Sequence, residues 1–374
     1  MDTPFIGPDN ALGYPAPYWF LVFFKVLGFA LHMVPMNLWY AGLITMLLLR
    51  WFGGEHAKRL GARVMNAMPV IVAYGVNLGI VPLLFTQVAY YKVFYPATIL
   101  IAWAWFSIIV LLTLAYYGVY LYVIGLRQDR LTPIKRAAGW VAALLFMVIG
   151  FVFANNFSLM TNVGAWAGLW SATSVGGAAT GTALNTGDSS LWPRWLMMFG
   201  LALTTTAAYV VVDTGFFAGK ERDEYKRWAV NFAFWLYSLG IAWLALTGSW
   251  YIFAALKSEV RADLLAMPTL VLTALTALGP GLPWLLVLFA RKGLGRGLAL
   301  LAGLAQFGVL ALNAISRQIV QNAELAPYLD VTAGRVNVQW SPLILFLVLF
   351  VAGLGVVAWM VVQVVKANRQ PAAG

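Results

Sequence analysis

Residues 137–160 read AAGWVAALLFMVIGFVFANNFSLM and contain no Asp, Glu, Lys or Arg. A helix that crosses a bilayer needs roughly 20 mostly apolar residues, so this stretch predicts a transmembrane helix. The rest of the 374-residue chain has the same character, because 62% of it is hydrophobic and only 10% is charged. Soluble domains contain about 25% charged residues. The sequence therefore predicts an all-α polytopic membrane protein embedded in a lipid bilayer.

Eight further stretches of similar length and apolarity lie on either side of this one. Together they predict a single transmembrane helical-bundle domain over residues 1–374, without an inserted soluble domain. Among the connections that follow even-numbered spans, two are longer than a turn, residues 161–190 and 317–340, and the first is predicted to lie on the bundle. The nine predicted spans, numbered along the chain, are Tyr18–Arg50, Ala67–Tyr90, Pro96–Leu126, Ala137–Met160, Leu191–Phe217, Trp228–Leu256, Leu264–Ala290, Gly297–Ile315 and Pro342–Val365.

The Lys and Arg residues are distributed unequally between the two ends of the predicted bundle. Seventeen of the 24, including Arg50 at the end of span 1, lie at the connections after odd-numbered spans; six, including Arg194 near the start of span 5, lie at those after even-numbered spans; and Lys25 lies well inside span 1. Because Lys and Arg collect in cytoplasmic loops, this pattern predicts an outside N-terminus and an inside C-terminus. We expect the membrane to be a bacterial-type inner (cytoplasmic) membrane. The excess of Lys and Arg in the predicted cytoplasmic connections also accounts for the net charge of +11. Since the positive charge is explained in this way, we expect no nucleic-acid partner.

The few potential metal ligands restrict the chemistry. Cysteine is absent, which excludes disulfides, Cys-ligated metals and thioether-attached c-type haem. Histidine occurs only as His32 and His56, too few for a bis-His dihaem cytochrome b or a haem–copper oxidase. His56 lies in a charged connection and is predicted to be solvated. Asp213 is the only acid inside a predicted span, so we expect no proton pumping.

Span 1 contains the candidate site. Lys25, His32 and Met36 are separated by seven and four residues, so a helix places them on one face. A neutral imidazole can ligate haem iron, and a lysine can pair with a haem propionate. These residues predict one non-covalent haem b whose iron is ligated by His32, with Met36 at the ring edge and Lys25 at a propionate. The alternative is a buried histidine that is hydrogen-bonded across the bundle.

Several short motifs resemble subunit I of the cytochrome bd quinol oxidases. The resemblance extends over nearly the whole chain and implies the same nine-span topology. It also implies an axial haem-ligating role for His32, a structural or propionate-binding role for Arg317, and a second polytopic membrane subunit as partner. An outer-face cytochrome c is a further candidate partner. The motifs are His32-Met-Val-Pro35, Asn77 to Gln87, Ala154-Asn155-Asn156, the charged turn at 220–227, and Ser316-Arg317-Gln318.

Other residues of the family pattern are replaced in this chain. Span 3 reads Ile101-Ala-Trp-Ala-Trp105-Phe-Ser107 without the family's glutamate, and Ala314 stands at the glutamate position of span 8. Span 5 lacks the family's histidine, and residues 257–263 are all that remains of its quinol-oxidising loop. We therefore expect at most one b-type haem and an incomplete oxygen reductase.

The resulting hypothesis is an electron-transfer or non-catalytic subunit of an oxidoreductase complex in a respiratory chain. Two alternatives remain open. The first is a haem-free structural subunit of a membrane complex, which the missing ligands favour. The second is a solute transporter, because Gly279-Pro280 and Pro283 could break span 7 around a substrate site.

Overall fold

The computed structural model describes residues 5–369, and this part of the chain is almost entirely helical. Its strands form one short hairpin, Ser174–Val175 with Ala178–Ala179. Nine helices in the described range are long and apolar enough to cross a membrane, which confirms the predicted all-α polytopic fold. They keep the numbers of the predicted spans and are Tyr18–Phe52, Glu55–Ala89, Ala102–Arg127, Pro133–Thr161, Leu191–Phe216, Asp223–Ala255, Thr269–Ala290, Arg296–Leu325 and Trp340–Arg369.

Short helices occupy three of the connections. Tyr91–Leu100 joins spans 2 and 3, Trp166–Thr173 lies between spans 4 and 5, and Ser258–Leu265 lies between spans 6 and 7. Trp166 is fully buried, and its indole donates a hydrogen bond to the carbonyl of Leu159 at 2.8 Å. This contact places the first part of the connection over residues 161–190 on the bundle.

Two spans extend far beyond the predicted apolar stretches. Span 2 begins at Glu55 rather than Ala67, because its first turns are amphipathic and bury Leu60 and Val64. Span 8 continues to Leu325 rather than Ile315. It thereby brings the buried Glu324 into the bundle, so the prediction that Asp213 is the only acid inside a span is wrong.

Three spans have local interruptions. A π-helical turn, Leu38–Gly42, follows Pro35 in span 1, and a second one, Trp250–Ala255, ends span 6. Span 7 is divided at Gly279–Pro280, as predicted from its glycine and proline residues. Beside this division the hydroxyls of Thr276 and Ser316 share a hydrogen bond of 2.6 Å, which ties span 7 to span 8.

Span 5 forms the centre of the bundle. In its most apolar stretch 61% of the residues are buried, and it packs against spans 1, 4, 6 and 8. The side-chain amide of Gln306 donates to the hydroxyls of Thr204 at 3.2 Å and Thr205 at 3.1 Å, and its oxygen accepts from Tyr237. Asn37 also donates to Thr205, at 2.9 Å. These bonds join four spans through interhelical contacts of polar side chains.

Span 9 lies on the surface of the bundle. None of its most apolar stretch is buried. Its described contacts include an aromatic cluster, in which Phe346 and Phe350 lie 4.9 and 5.3 Å from Phe24 between ring centroids, and a hydrogen bond from Tyr74 to the sulfur of Met360. Span 9 is therefore attached along one narrow stripe.

The connections after odd-numbered spans lie at one end of the bundle, because successive spans cross it in opposite directions. We call this the basic end, since it carries most of the Lys and Arg residues. The other end, which contains the connections after even-numbered spans, is called the opposite end.

Candidate functional site

The imidazole of His32 is held against span 2. Its Nδ1 lies 2.8 Å from the carbonyl oxygen of Gly75. Because a carbonyl can only accept, Nδ1 carries the proton and Nε2 is left with a free lone pair. Nε2 forms no hydrogen bond to another described residue, and its surface is partly accessible. The ring is therefore oriented by its Nδ1 proton and presents Nε2 as an available ligand.

Small residues on span 2 allow this placement. A Cβ atom at Gly79 would lie 2.8 Å from Cε1 of His32, and a Cβ at Gly75 would overlap the ring of Trp39. Trp39 lies edge-on to the imidazole, with 5.9 Å between ring centroids, and stacks on Phe146. Span 2 thus approaches span 1 closely enough to fix the imidazole between backbone and indole.

Met36 lies one turn farther along span 1 than His32. It is buried in the main hydrophobic core together with Met33 and Trp39. Core packing therefore explains why an apolar side chain stands at position 36. The role of Met36 at the edge of a haem ring stays a prediction.

Lys25 is bound to span 8. Its Nζ donates to the side-chain oxygens of Gln318 and Gln321, both at 2.7 Å, and lies 4.5 Å from the centre of the Tyr90 ring. Gln318 also donates to Asn322 at 3.0 Å. Neutral partners and an aromatic face thus hold the ammonium, and Lys25 forms no ion pair within residues 5–369.

Arg317 lies beside Lys25, at the neighbouring position to Gln318. Its guanidinium carbon is 4.8 Å from the centre of the Phe29 ring, and Phe29 lies between Lys25 and His32 on span 1. The residue is exposed, and it too forms no ion pair in the described part of the chain. Two cations without a carboxylate partner in the described range therefore lie where span 1 packs against span 8.

The sequence prediction missed an ion pair next to these cations. Arg194 of span 5 pairs with the buried Glu324 of span 8, and its guanidinium lies 5.2 Å from the centre of the Tyr251 ring. A signal for this extension of span 8 exists in the sequence, since neither glycine nor proline occurs between Gly308 and Pro327. The pair neutralises Arg194, so that Lys25 and Arg317 are the nearby cations without a carboxylate partner in the described range.

At the basic end, Asp213 is neutralised by Arg63. The guanidinium of Arg63 is bidentate, with Nη2 and Nε 3.0 and 3.1 Å from the two carboxylate oxygens, and its Nη1 lies 3.2 Å from Glu221. Arg59 also pairs with Glu221. A cavity of about 410 Å³ borders Arg63 and Asp213. This cluster fastens span 2 to span 5 and the following turn.

His56, which also lies at the basic end, was predicted to be solvated, and this prediction is wrong. The ring is half-buried, with 6.1 Å between its centroid and that of Tyr225 and 6.0 Å to Trp228, so it is not simply solvated. His56 lies in the first turn of span 2, whereas His32, on span 1, contacts span 2 much farther along, at Gly75. Their environments are therefore separate, and His56 can serve as a control histidine.

The predicted site residues fall into two groups. Lys25 and Arg317 are brought together where span 1 meets span 8, whereas His32 is turned towards span 2 and Met36 is part of the core. No protein-family model and no curated protein matches this chain.

Proposed function

We propose that this chain is a membrane subunit of a respiratory electron-transfer complex, similar to cytochrome bd subunit I, that binds one non-covalent b-type haem through Nε2 of His32. The orientation of the imidazole carries the proposal, because Nδ1 donates to Gly75 and Nε2 has no described partner. Histidines that ligate metals almost always use their second nitrogen in this way, which fixes tautomer and ring orientation.

The charged residues of span 1 and span 8 fit the same cofactor. Lys25 lies two turns from His32, roughly 10 Å along the axis at the rise of an α-helix. Lys25 and Arg317 would hold the propionates, since both are free of carboxylate partners in the described range. His32 would hold the iron, and Trp39 would keep water from one side of the imidazole. A bound haem would supply one-electron oxidation and reduction.

The proposal extends to partners and membrane. A second polytopic membrane subunit would cover apolar surface of the bundle, where only 17% of the central stretch of span 7 is buried. An outer-face cytochrome c would exchange electrons at the opposite end. The excess of Lys and Arg at the basic end supports its placement in the cytoplasm, with the protein in a bacterial-type inner membrane.

Replacing His32 by alanine is expected to remove the haem. The purified wild-type protein should show a single b-type signal in the reduced-minus-oxidised absorption spectrum, with one extractable haem per chain. His32→Ala should lose this signal because no other described histidine lies near the site. His56→Ala is the matched control and should keep the full haem content.

A colourless wild-type protein, purified gently with its partners, would contradict the proposal and leave the haem-free structural subunit. Solute movement in liposomes without a redox partner would instead favour the transporter. If His32→Ala does not elute as a single folded species, His32→Gly with added imidazole replaces it. Recovery of the b-type band with imidazole would support ligation by residue 32, and its continued absence would count against it.

A further inference from the structure

A second cavity at the basic end, of about 370 Å³, has an unusual lining. It lies where span 1 ends, spans 2 and 4 begin, and span 3 ends. None of its lining residues is acidic. The polar and aromatic part of the lining consists of Arg50, Lys58, Arg136, Trp51, Tyr122 and Trp140.

The three cations of this cavity are unneutralised. Arg50, Lys58 and Arg136 form no ion pair with any residue in the range 5–369. By contrast, Arg59 and Arg63, on the same helix as Lys58, are paired with Glu221 and Asp213. The cavity thus brings together three cations that have no carboxylate partner in the described range.

Arg50 is fixed in place before any ligand arrives. Its Nη1 donates to the carbonyl of Lys58 at 3.0 Å, while its Nε is buried without a described partner. A Cβ atom at Gly61 would lie 2.5 Å from Cγ of Arg50, so only glycine leaves room for this stem. A buried unbonded donor is costly unless an acceptor satisfies it, and the Arg50 guanidinium is therefore prepared for an anion.

We propose that this cavity binds the phosphate group of an anionic phospholipid. The planar guanidinium of arginine can donate two hydrogen bonds to the oxygens of one phosphate group. Basic pockets between transmembrane helices bind acidic lipid headgroups. Trp51 and Trp140, whose ring centroids are 6.1 Å apart, are residues typical of the level of the headgroups. The exposed Trp51 and Phe52 would lie beside the acyl chains. A phosphate that is not part of a lipid would use the same cations but not this apolar rim.

Native mass spectrometry of the delipidated full chain tests this site. We expect phosphatidylglycerol to bind more tightly than phosphatidylcholine, and the Arg50→Gln/Arg136→Gln variant to lose on the order of tenfold or more in affinity for phosphatidylglycerol. Arg130→Gln is the matched control, since it removes an exposed charge from the same connection as Arg136 without changing the cavity lining. It should bind phosphatidylglycerol like the wild type.

Three results would overturn the proposal. They are equal binding of the two lipids, an equal loss in Arg130→Gln, and binding of glycerol 3-phosphate as tight as that of phosphatidylglycerol, which would indicate a site for free phosphate. If the double variant does not fold, Lys58→Gln provides the test, because Lys58 is exposed and lines the same cavity. Its affinity for phosphatidylglycerol should fall severalfold, and unchanged affinity would contradict the assignment.

Discussion

Asp213→Asn is expected to lower the free energy of unfolding by about 3 kcal/mol, in the range found when one partner of a buried ion pair is removed. The substitution removes the negative charge and one of the two acceptor oxygens that face Arg63, and it leaves Glu221 at 3.2 Å as the remaining carboxylate partner of that guanidinium. The side chain of Asp213 is only 9% exposed, so the pair is largely removed from bulk water and its loss is weakly screened. Equilibrium unfolding by SDS in mixed micelles, followed by tryptophan fluorescence, measures the loss.

Asp223→Asn is the control for this prediction. Asp223 pairs with Lys226 at 3.4 Å, but its side chain is 84% exposed, and exposed pairs contribute little. Its unfolding midpoint should match that of the wild type. Equal midpoints for Asp213→Asn and Asp223→Asn would show that the Arg63 pair does not stabilise the contact between spans 2 and 5.

Gly75→Ala is expected to destabilise the bundle by about 1–3 kcal/mol, the usual cost of overpacking. The added Cβ would overlap the indole of Trp39, which is buried and stacked on Phe146 with 5.5 Å between ring centroids. The indole must therefore move, and the Gly75 carbonyl that holds His32 moves with it. The same SDS titration measures the stability, and the b-type absorbance reports on the His32 site.

Gly308→Ala separates this steric effect from the general effect of adding a methyl group to a helix. Gly308 lies inside span 8, and no atom is within 4 Å of a Cβ built there. Alanine is favoured over glycine in helix interiors by roughly 1 kcal/mol, so Gly308→Ala should be as stable as the wild type or more stable. A Gly75→Ala variant as stable as Gly308→Ala would contradict the close packing of Trp39 on span 2.

The nine spans could be predicted from the sequence because each exceeds the length that a bilayer requires. The ends of spans 2 and 8 could not, because the apolar runs stop before the helices do. The first turns of span 2 carry Lys58, Arg59 and Arg63 on one face and bury another, which hydropathy alone does not distinguish from a charged loop. Span 8 likewise continues through Glu324, whose charge is neutralised by Arg194 of another span.

The candidate site was predictable only in part, for a similar reason. Spacing within span 1 predicts Lys25 and His32 on one face, but the structure turns Lys25 towards span 8 and His32 towards span 2. The acceptor of His32, by contrast, depends on the register between spans 1 and 2, which no local pattern encodes. Asp213 could be located in span 5, but its partner Arg63 belongs to the stretch that was predicted as a loop.

The attachment of span 9 along one stripe has a consequence for how the protein is assembled. The contacts that define the main hydrophobic core of the described bundle are complete by Leu310, before the last helix begins. Since membrane helices enter the bilayer in chain order during synthesis, the first eight spans can reach their packed arrangement while the ninth is still within the ribosome and translocon. Span 9 then docks through Phe346 and Phe350 onto a surface that is already formed.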